Sequence, residues 1–339
     1  MTRLDIHEPH EFFQYVRLGT LPPPDRRRID VALLDMNHSW PNMGHDSLVH
    51  AVLNLSEEYR DALVEAGLKV RVISFDVRRA LQLPDAPDGR FQLYLGTGGP
   101  GHLDPRLNDG LSDASQGIIE DPSWERPLFR LFDRILSHPD ASLFGVCHTF
   151  GLMCRWSGIA HPALRAIKSS GMPMNVLSRD ALRHPWFSRF ANALPDHRHY
   201  RVIDNRLFDL VLDARDPYMP LAYENDESSD AVTMMEFARD RDGEMPRMLG
   251  VNHHPEIIDR EHVMTVLQEK RAHGEVTQLW YEERSHTLEN DMRGDGEQQS
   301  RITSHFTLIA PMRYQLAKLI RARRAELGHP ADAAVASTR

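Results

Sequence analysis

From Ile29 onward the chain alternates short apolar runs with stretches whose apolar residues recur every three or four positions. The run Asp30 to Met36 (D-V-A-L-L-D-M) predicts a first strand. Leu48, Val52, Leu55, Tyr59 and Leu63 predict an amphipathic helix covering one face of a sheet. Val70 to Phe75 reads as a second strand and, after a Pro/Asp/Gly loop from Leu83 to Arg90, Phe91 to Leu95 as a third. Pro127 opens a helix with Leu128, Leu131, Phe132 and Ile135 on one face, and Leu143, Phe144 and Val146 follow as a strand. Strands separated by helical patterns predict an α/β fold, a mostly parallel sheet flanked by helices. In such sheets sites gather beyond the carboxyl ends of the strands.

Residues 159 to 230 read as short strands and turns, among them Met174 to Leu177 and Leu207 to Leu212. Leu221 to Tyr223, Ala231 to Ala238 and Arg247 to Val251 predict further strands, and Asp259 predicts the cap of a helix bearing Val263, Val266 and Leu267. Residues 103 to 126 are irregular and acidic, which suits a solvated loop, with a lid as the alternative. Residues 285 to 302 have little to bury and read as a long connection. Phe306, Ile309, Met312, Leu316 and Ile320 predict a last helix, with Arg321 to Arg324 as its solvated end. At the other terminus, residues 1 to 28 read as a polar arm, with Pro22-Pro23-Pro24 a stiff linker and Arg26-Arg27-Arg28 solvated charge. Phe12, Phe13, Tyr15 and Val16 are apolar enough to pack on the domain or on a second subunit of a homo-oligomer. The expected organisation is an N-terminal arm over 1–28, a main domain over 29–284, a linker and C-terminal helix over 285–329, and a disordered tail over 330–339.

Composition narrows the function. An apolar share of 41% in 339 residues is enough for a substantial core. With 40 basic against 49 acidic residues the formal charge is −9, so no basic field for nucleic acid is expected. No apolar run is long enough to span a membrane, and the first twenty residues lack the apolar centre of a signal peptide. The two cysteines, Cys147 and Cys154, suit a reducing compartment better than a disulfide scaffold, so a cytoplasmic protein is expected.

One of those cysteines stands where chemistry is expected. The strand ending at Val146 meets Cys147, and a helix-like pattern (Phe150, Met153, Cys154) starts at once, with Gly145 read as the residue that permits the turn. A thiol on such an elbow is held out of the sheet at a helix N-terminus, whose potential favours thiolate. A strand ending on a buried structural cysteine would read the same way. Two further stretches favour the reactive reading. Gly96 to His102 (G-T-G-G-P-G-H) can aim backbone N–H groups at an oxyanion, and Gly250 to Glu256 (G-V-N-H-H-P-E) supplies a histidine and a carboxylate two residues apart. A metal reading of His102, His148, His253, His254 and Glu256 stands second, because neighbouring histidines on an extended backbone point apart.

In these residues the chain resembles the class I glutamine amidotransferase-like family, whose elbow, G-G-P turn and H-P-E motif occur in this order, and the resemblance spans roughly residues 29 to 270. The run His184 to Phe190 (H-P-W-F-S-R-F) is similar to a family segment at this point, its aromatic residues expected in core or pocket wall. The resemblance implies a flavodoxin-like fold with Cys147 as nucleophile, His254 as base and Glu256 as its orienting carboxylate. Gly99 and the N–H of His148 become the oxyanion donors. It is this match, not periodicity, that selects His254 over His253. Gly98, His102, Thr149, Asn205, Arg206 and His253 become candidate substrate-binding positions.

Several of these positions depart from the family pattern. The Gly, His or Met, and Gln that usually follow in the family elbow are Thr149, Phe150 and Gly151 here. The Ser after its G-G-P is His102, and its Ser-His pair before the last strands is Asn205-Arg206. The chemistry is kept and the glutamine pocket is altered. The expected function is a cysteine-dependent amidotransferase or hydrolase acting on glutamine or a related amide through a thioester, without cofactor or metal. A separate synthetase subunit would receive the ammonia. One alternative is a homoserine O-acyltransferase using acyl-CoA, a family sharing fold and triad, to whose C-terminal Ser-His pair Ser304-His305-Phe306 bears some likeness. The other is a catalytically silent binding protein on the same scaffold.

Overall fold

The computed structural model describes residues 4–40, 42–213, 217–225, 230–258, 260–274 and 276–329. The strands are β1 (Phe13–Arg17), β2 (Arg28–Asp35), β3 (Lys69–Asp76), β4 (Phe91–Gly96), β5 (Ser142–Val146), β6 (Ala160–Gly171), β7 (Met174–Leu177), β8 (His199–Arg201), β9 (Asp204–Leu212), β10 (Met219–Glu224), β11 (Val232–Arg239) and β12 (Pro246–Val251). The helices are α1 (Met43–Glu58), α2 (Arg60–Glu65), α3 (Glu125–Ser137), α4 (His148–Ser157), α5 (Arg179–Arg183), α6 (Phe187–Ala193), α7 (Arg260–Ala272), α8 (Gln278–His286), α9 (Asp295–Ser304) and α10 (Ala310–Glu326).

Ten strands form one sheet in the order β1-β3-β2-β4-β5-β12-β11-β10-β7-β8, and β6 pairs with β9 as a separate antiparallel ribbon. The pairings from β1 through β12 are parallel, and those from β12 to β8 are antiparallel. Successive residues of a strand feed opposite cores. In β2, Ile29, Val31 and Leu33 join the cluster under α1, α2, α6 and α10, while Ala32 and Leu34 join the one under α3 and α4. With both faces covered, the parallel strands read as continuous apolar runs rather than alternating ones.

The elbow helix α4 sits directly on the sheet because three neighbouring strands present glycine in register. Gly96, Gly145 and Gly250 pair across β4, β5 and β12. A Cβ at Gly96 would meet Thr149 Cγ2 at 2.3 Å, one at Gly145 would meet Met153 Sδ at 2.6 Å, and one at Gly250 would meet Phe150 Cδ2 at 2.1 Å. The sequence reading of Gly145 as the turn residue is thereby corrected. The positive φ, 47°, belongs to Cys147 itself, and Gly145 serves close packing.

Other expectations change as well. Part of the supposed arm is the edge strand β1, paired with β3 and burying Phe12 and Phe13 on this domain. The loop over 103–126 is not simply solvated. The side chain of its Glu120 is fully buried, with Oε1 2.7 Å from Arg78 Nη2 and Oε2 2.8 Å from Arg78 Nε. The stretch 285–302 is largely helical, because Leu288 and Met292 find a small core with Met172, Ile203, Ile257, Val263 and Leu267. The last helix packs on the central sheet through Leu316 and Ile320. Its arginines are anchored, Arg324 to the carbonyl of Ala62 and to Glu65 at 2.9 Å, and Arg323 to the carbonyls of Arg26 and Arg28. Asp259, expected to cap α7, and the tail from Pro330 lie outside the described residues.

Candidate active site

Three adjacent parallel strands deliver the three motifs to one rim of the sheet. β4 runs into Thr97-Gly98-Gly99, β5 into Cys147, and β12 into Asn252-His253-His254. Cys147 lies between strand and helix with φ 47° and ψ −102°, a strained conformation for any residue but glycine. Its N–H donates to the carbonyl of Val251 at 2.7 Å, which ties the elbow to the histidine-bearing strand.

His254 Nδ1 lies 2.8 Å from Glu256 Oε1, and the Cys147 sulfur is close enough to act on the same imidazole. Gly98 marks the closeness of the pair: a Cβ there would stand 3.0 Å from His254 Cε1 and 3.9 Å from Cys147 Sγ. Burial works against the charged imidazole, but the Glu256 carboxylate and the Cys147 sulfur outweigh it and hold His254 well above its ordinary value of 6.5.

The carboxylate has its own support. Glu256 is buried against the first turn of α1, where a Cβ on Gly44 would meet Oε1 at 2.5 Å. Asn42 caps that helix, its Oδ1 accepting the Gly44 N–H at 2.6 Å. An anionic side chain is favoured at a helix N-terminus.

The glycine turn is fixed by a residue the sequence did not single out. Arg78, buried and paired with Glu120, donates to the carbonyls of Met36 (2.9 Å) and Pro100 (2.6 Å). Gly99 packs so close to that chain that a Cβ would stand 2.3 Å from the Met36 carbonyl oxygen. His148 opens α4, with its backbone N–H at the first helical position. Its ring is buried, and burial with the nearby Arg78 charge pushes its pKa well below the ordinary value, so it is neutral.

Cys147, His148, Gly99, His254, Asn205 and Arg206 line a cleft of about 780 Å³. The guanidinium of Arg206 is already engaged by Asp204 at 2.6 Å, by Asp209 and by Glu224. Four candidate substrate-binding residues, Gly98, His102, Thr149 and His253, are not among the cleft's lining. His253 faces the interior, as the neighbour of His254 on an extended chain must. Its Nε2 lies 3.3 Å from Thr307 Oγ1, and burial pushes its pKa down to about 3. Thr149 is buried and donates from Oγ1 to the carbonyl of Thr97 at 2.8 Å. His102 accepts the Asp104 N–H on Nδ1 at 2.8 Å and packs edge-on against Phe208.

Where the family carries glutamine in the elbow, this chain has Gly151, and the space a side chain would take there is filled by Leu103, whose Cδ1 a Cβ would meet at 2.5 Å. His305, of the pair likened to the acyltransferases, packs near Trp186 and not on the cleft. In the H-P-W-F segment, Trp186, Phe187 and Phe190 lie in the core, and His184 is paired with Glu236 at 3.0 Å. Among the described residues no cluster of three or more His, Cys, Asp or Glu is arranged to hold a metal ion, and no helix is long and apolar enough to cross a membrane.

No protein-family profile matches the chain, and no curated protein matches it. Among solved structures it is similar to a glutamine amidotransferase from Thermotoga maritima, at 12% identity and a TM-score of 0.49, covering 86% of this chain and 98% of that one. It is also similar to a glutamine amido transferase from Methylobacillus flagellatus, at 12% identity and a TM-score of 0.42, covering 90% of this chain and 98% of that one. Both neighbours are glutamine amidotransferases by name. At these low scores the functional reading rests on the site's own geometry.

Proposed function

We propose that this chain is a cysteine-dependent amidotransferase or amide hydrolase in which Cys147, His254 and Glu256 act as one unit. The observation that carries the reading is the gathering of carboxylate, imidazole and sulfur: Nδ1 of His254 is held by Glu256 at 2.8 Å, and Gly98 lies between ring and sulfur, its Cβ position 3.0 Å from His254 Cε1 and 3.9 Å from Cys147 Sγ. In the reaction, sulfur attacks the amide carbonyl carbon and the thiol proton resides on His254. The oxyanion is received by the N–H groups of Gly99 and His148. The C–N bond then breaks as His254 protonates the leaving nitrogen, which departs as ammonia or an amine. Water, deprotonated by His254, attacks the thioester and releases the acid and free Cys147.

The altered elbow and the 780 Å³ cleft favour an amide larger than glutamine, although glutamine remains the first substrate to test. Ammonia produced here would pass to a separate synthetase subunit. The test is incubation of the full chain with glutamine, and separately with acyl-CoA and homoserine, following ammonia and free CoA. Ammonia release lost in Cys147→Ala supports the amide reading. CoA release without ammonia overturns it in favour of acyl transfer.

A further inference from the structure

The wall of the cleft formed by β6 and α8 carries two cations and one carboxylate to share between them. Lys168, in the irregular stretch of β6 where pairing with β9 shifts register, has its ammonium 3.7 Å from Glu283 Oε2. That distance is an ion pair looser than a hydrogen bond. The same carboxylate oxygen lies 3.4 Å from Arg284 Nη1. Arg284 sits over Trp280, its guanidinium carbon 4.0 Å from the ring centroid, a contact that holds the fork in place. Both cations and Trp280 line the cleft that holds Cys147.

The other acids of that lining are occupied or elsewhere. Glu282 accepts from the Gln278 amide at 2.6 Å. Asp204 is tied to Arg206 and to Ser169, each at 2.6 Å. Asp291 stands against Gly171, where a Cβ would meet its Oδ2 at 2.9 Å. Among the described residues the Glu283 carboxylate is the one within ion-pair reach of these two cations, and burial followed by Arg284's charge holds Lys168 below its ordinary value, while the Cys147 sulfur is close enough to oppose that shift. An ammonium beside a guanidinium fork, sharing a single carboxylate, can take one further anionic group, and with Glu282 and Asp291 on the same lining a monoanionic carboxylate fits better than a doubly charged phosphate.

We propose that Lys168 and Arg284 form an anion subsite, and that the amide turned over at Cys147 carries a carboxylate held there. This rests on the reading of Cys147 as the reactive thiol, so the experiment separates the two. Iodoacetate and iodoacetamide alkylate a thiolate by the same step, with S–C forming as C–I breaks and iodide leaving, and they differ in charge alone. Their second-order rates on the folded full chain at pH 7 and low salt, each normalised to mercaptoethanol, give a preference ratio for the anionic reagent.

The expected ratio exceeds that of mercaptoethanol by on the order of ten-fold and shrinks with added salt. It collapses in Lys168→Met and in Arg284→Met while the iodoacetamide rate holds, and Lys168→Arg restores it. A ratio unchanged in the Lys168→Met/Arg284→Met double variant overturns the subsite alone. So do equal losses for both reagents, which would mean that Lys168 acts on the thiolate and not on the incoming anion. No reaction of Cys147 with either reagent overturns the thiol reading and the subsite with it.

Discussion

Replacing Gly44 by alanine puts a methyl carbon 2.5 Å from Oε1 of Glu256 and 3.0 Å from Oδ1 of Asn42. Carbon and oxygen in contact sit at roughly 3.3 Å or more, so the carboxylate must retreat by about 0.8 Å. That oxygen is the one 2.8 Å from His254 Nδ1, so the retreat stretches or breaks the bond that orients the imidazole. A hydrogen bond to a charged group contributes about 1.5–3 kcal/mol, and each ~1.4 kcal/mol is tenfold in rate. The expected loss in kcat/KM is therefore roughly ten- to hundred-fold. Alanine is the better helix former, so α1 itself is not weakened. The assay pairs ammonia release from the amide substrate with NMR titration of the His254 ring, which must move down as the Glu256 charge withdraws. A Gly44→Ala enzyme with full activity and an unmoved ring titration would refute the claim that α1 positions Glu256.

Three other perturbations test the frame around the site. Glu120→Ala leaves the fully buried Arg78 without its carboxylate and should destabilise the protein by about 3–5 kcal/mol in denaturant unfolding, loosening the Gly98-Gly99 turn that Arg78 holds. A loss below about 1 kcal/mol would show that the pair does not anchor that turn. Gly250→Ala drives a methyl into Phe150 and should cost about 1–3 kcal/mol by overpacking, read as a lower thermal midpoint; an unshifted midpoint would contradict the glycine-row packing. His254, held above 6.5 in the fold, contributes stability that is complete below that value and lost as pH rises through its folded value. The denaturation midpoint should therefore fall with rising pH above 6.5 more steeply in the wild type than in Glu256→Gln. Parallel curves would remove the Glu256 contribution.

Much of this arrangement could be read from the amino acids, because the parallel strands are buried on both faces and announce themselves as apolar runs. The elbow was legible for the same reason: β5 stops at Val146 and α4 starts at His148. The choice of His254 as candidate base came through the H-P-E match, since nothing in periodicity separates His253 from His254. Strand β6, A-H-P-A-L-R-A-I-K-S-S-G, was not legible. It has no alternation, leaves Leu164 and Ile167 exposed, and is held by pairing with β9 and by Arg165 to Asp209 and Glu224. The acidic and basic composition of 285–302 hid a helical stretch whose few apolar residues meet a core made elsewhere in the chain. The glycine row was hidden because each glycine stands near a strand end and reads as a turn residue, and only the parallel register aligns all three. Gly44 beneath Glu256 is a contact between distant segments, and no local pattern encodes it.

The central claim is that His254 governs the reactivity of Cys147, and the rate of iodoacetamide alkylation at pH 7 in wild type and His254→Ala tests it most directly. Cys154 is buried and its thiol pushed well up by that burial, so one adduct per chain, mapped to residue 147, reports the site alone. An unassisted cysteine is only a few per cent thiolate at pH 7, so losing the imidazole that takes its proton should slow alkylation on the order of ten-fold or more. Equal rates in the two proteins would contradict the account.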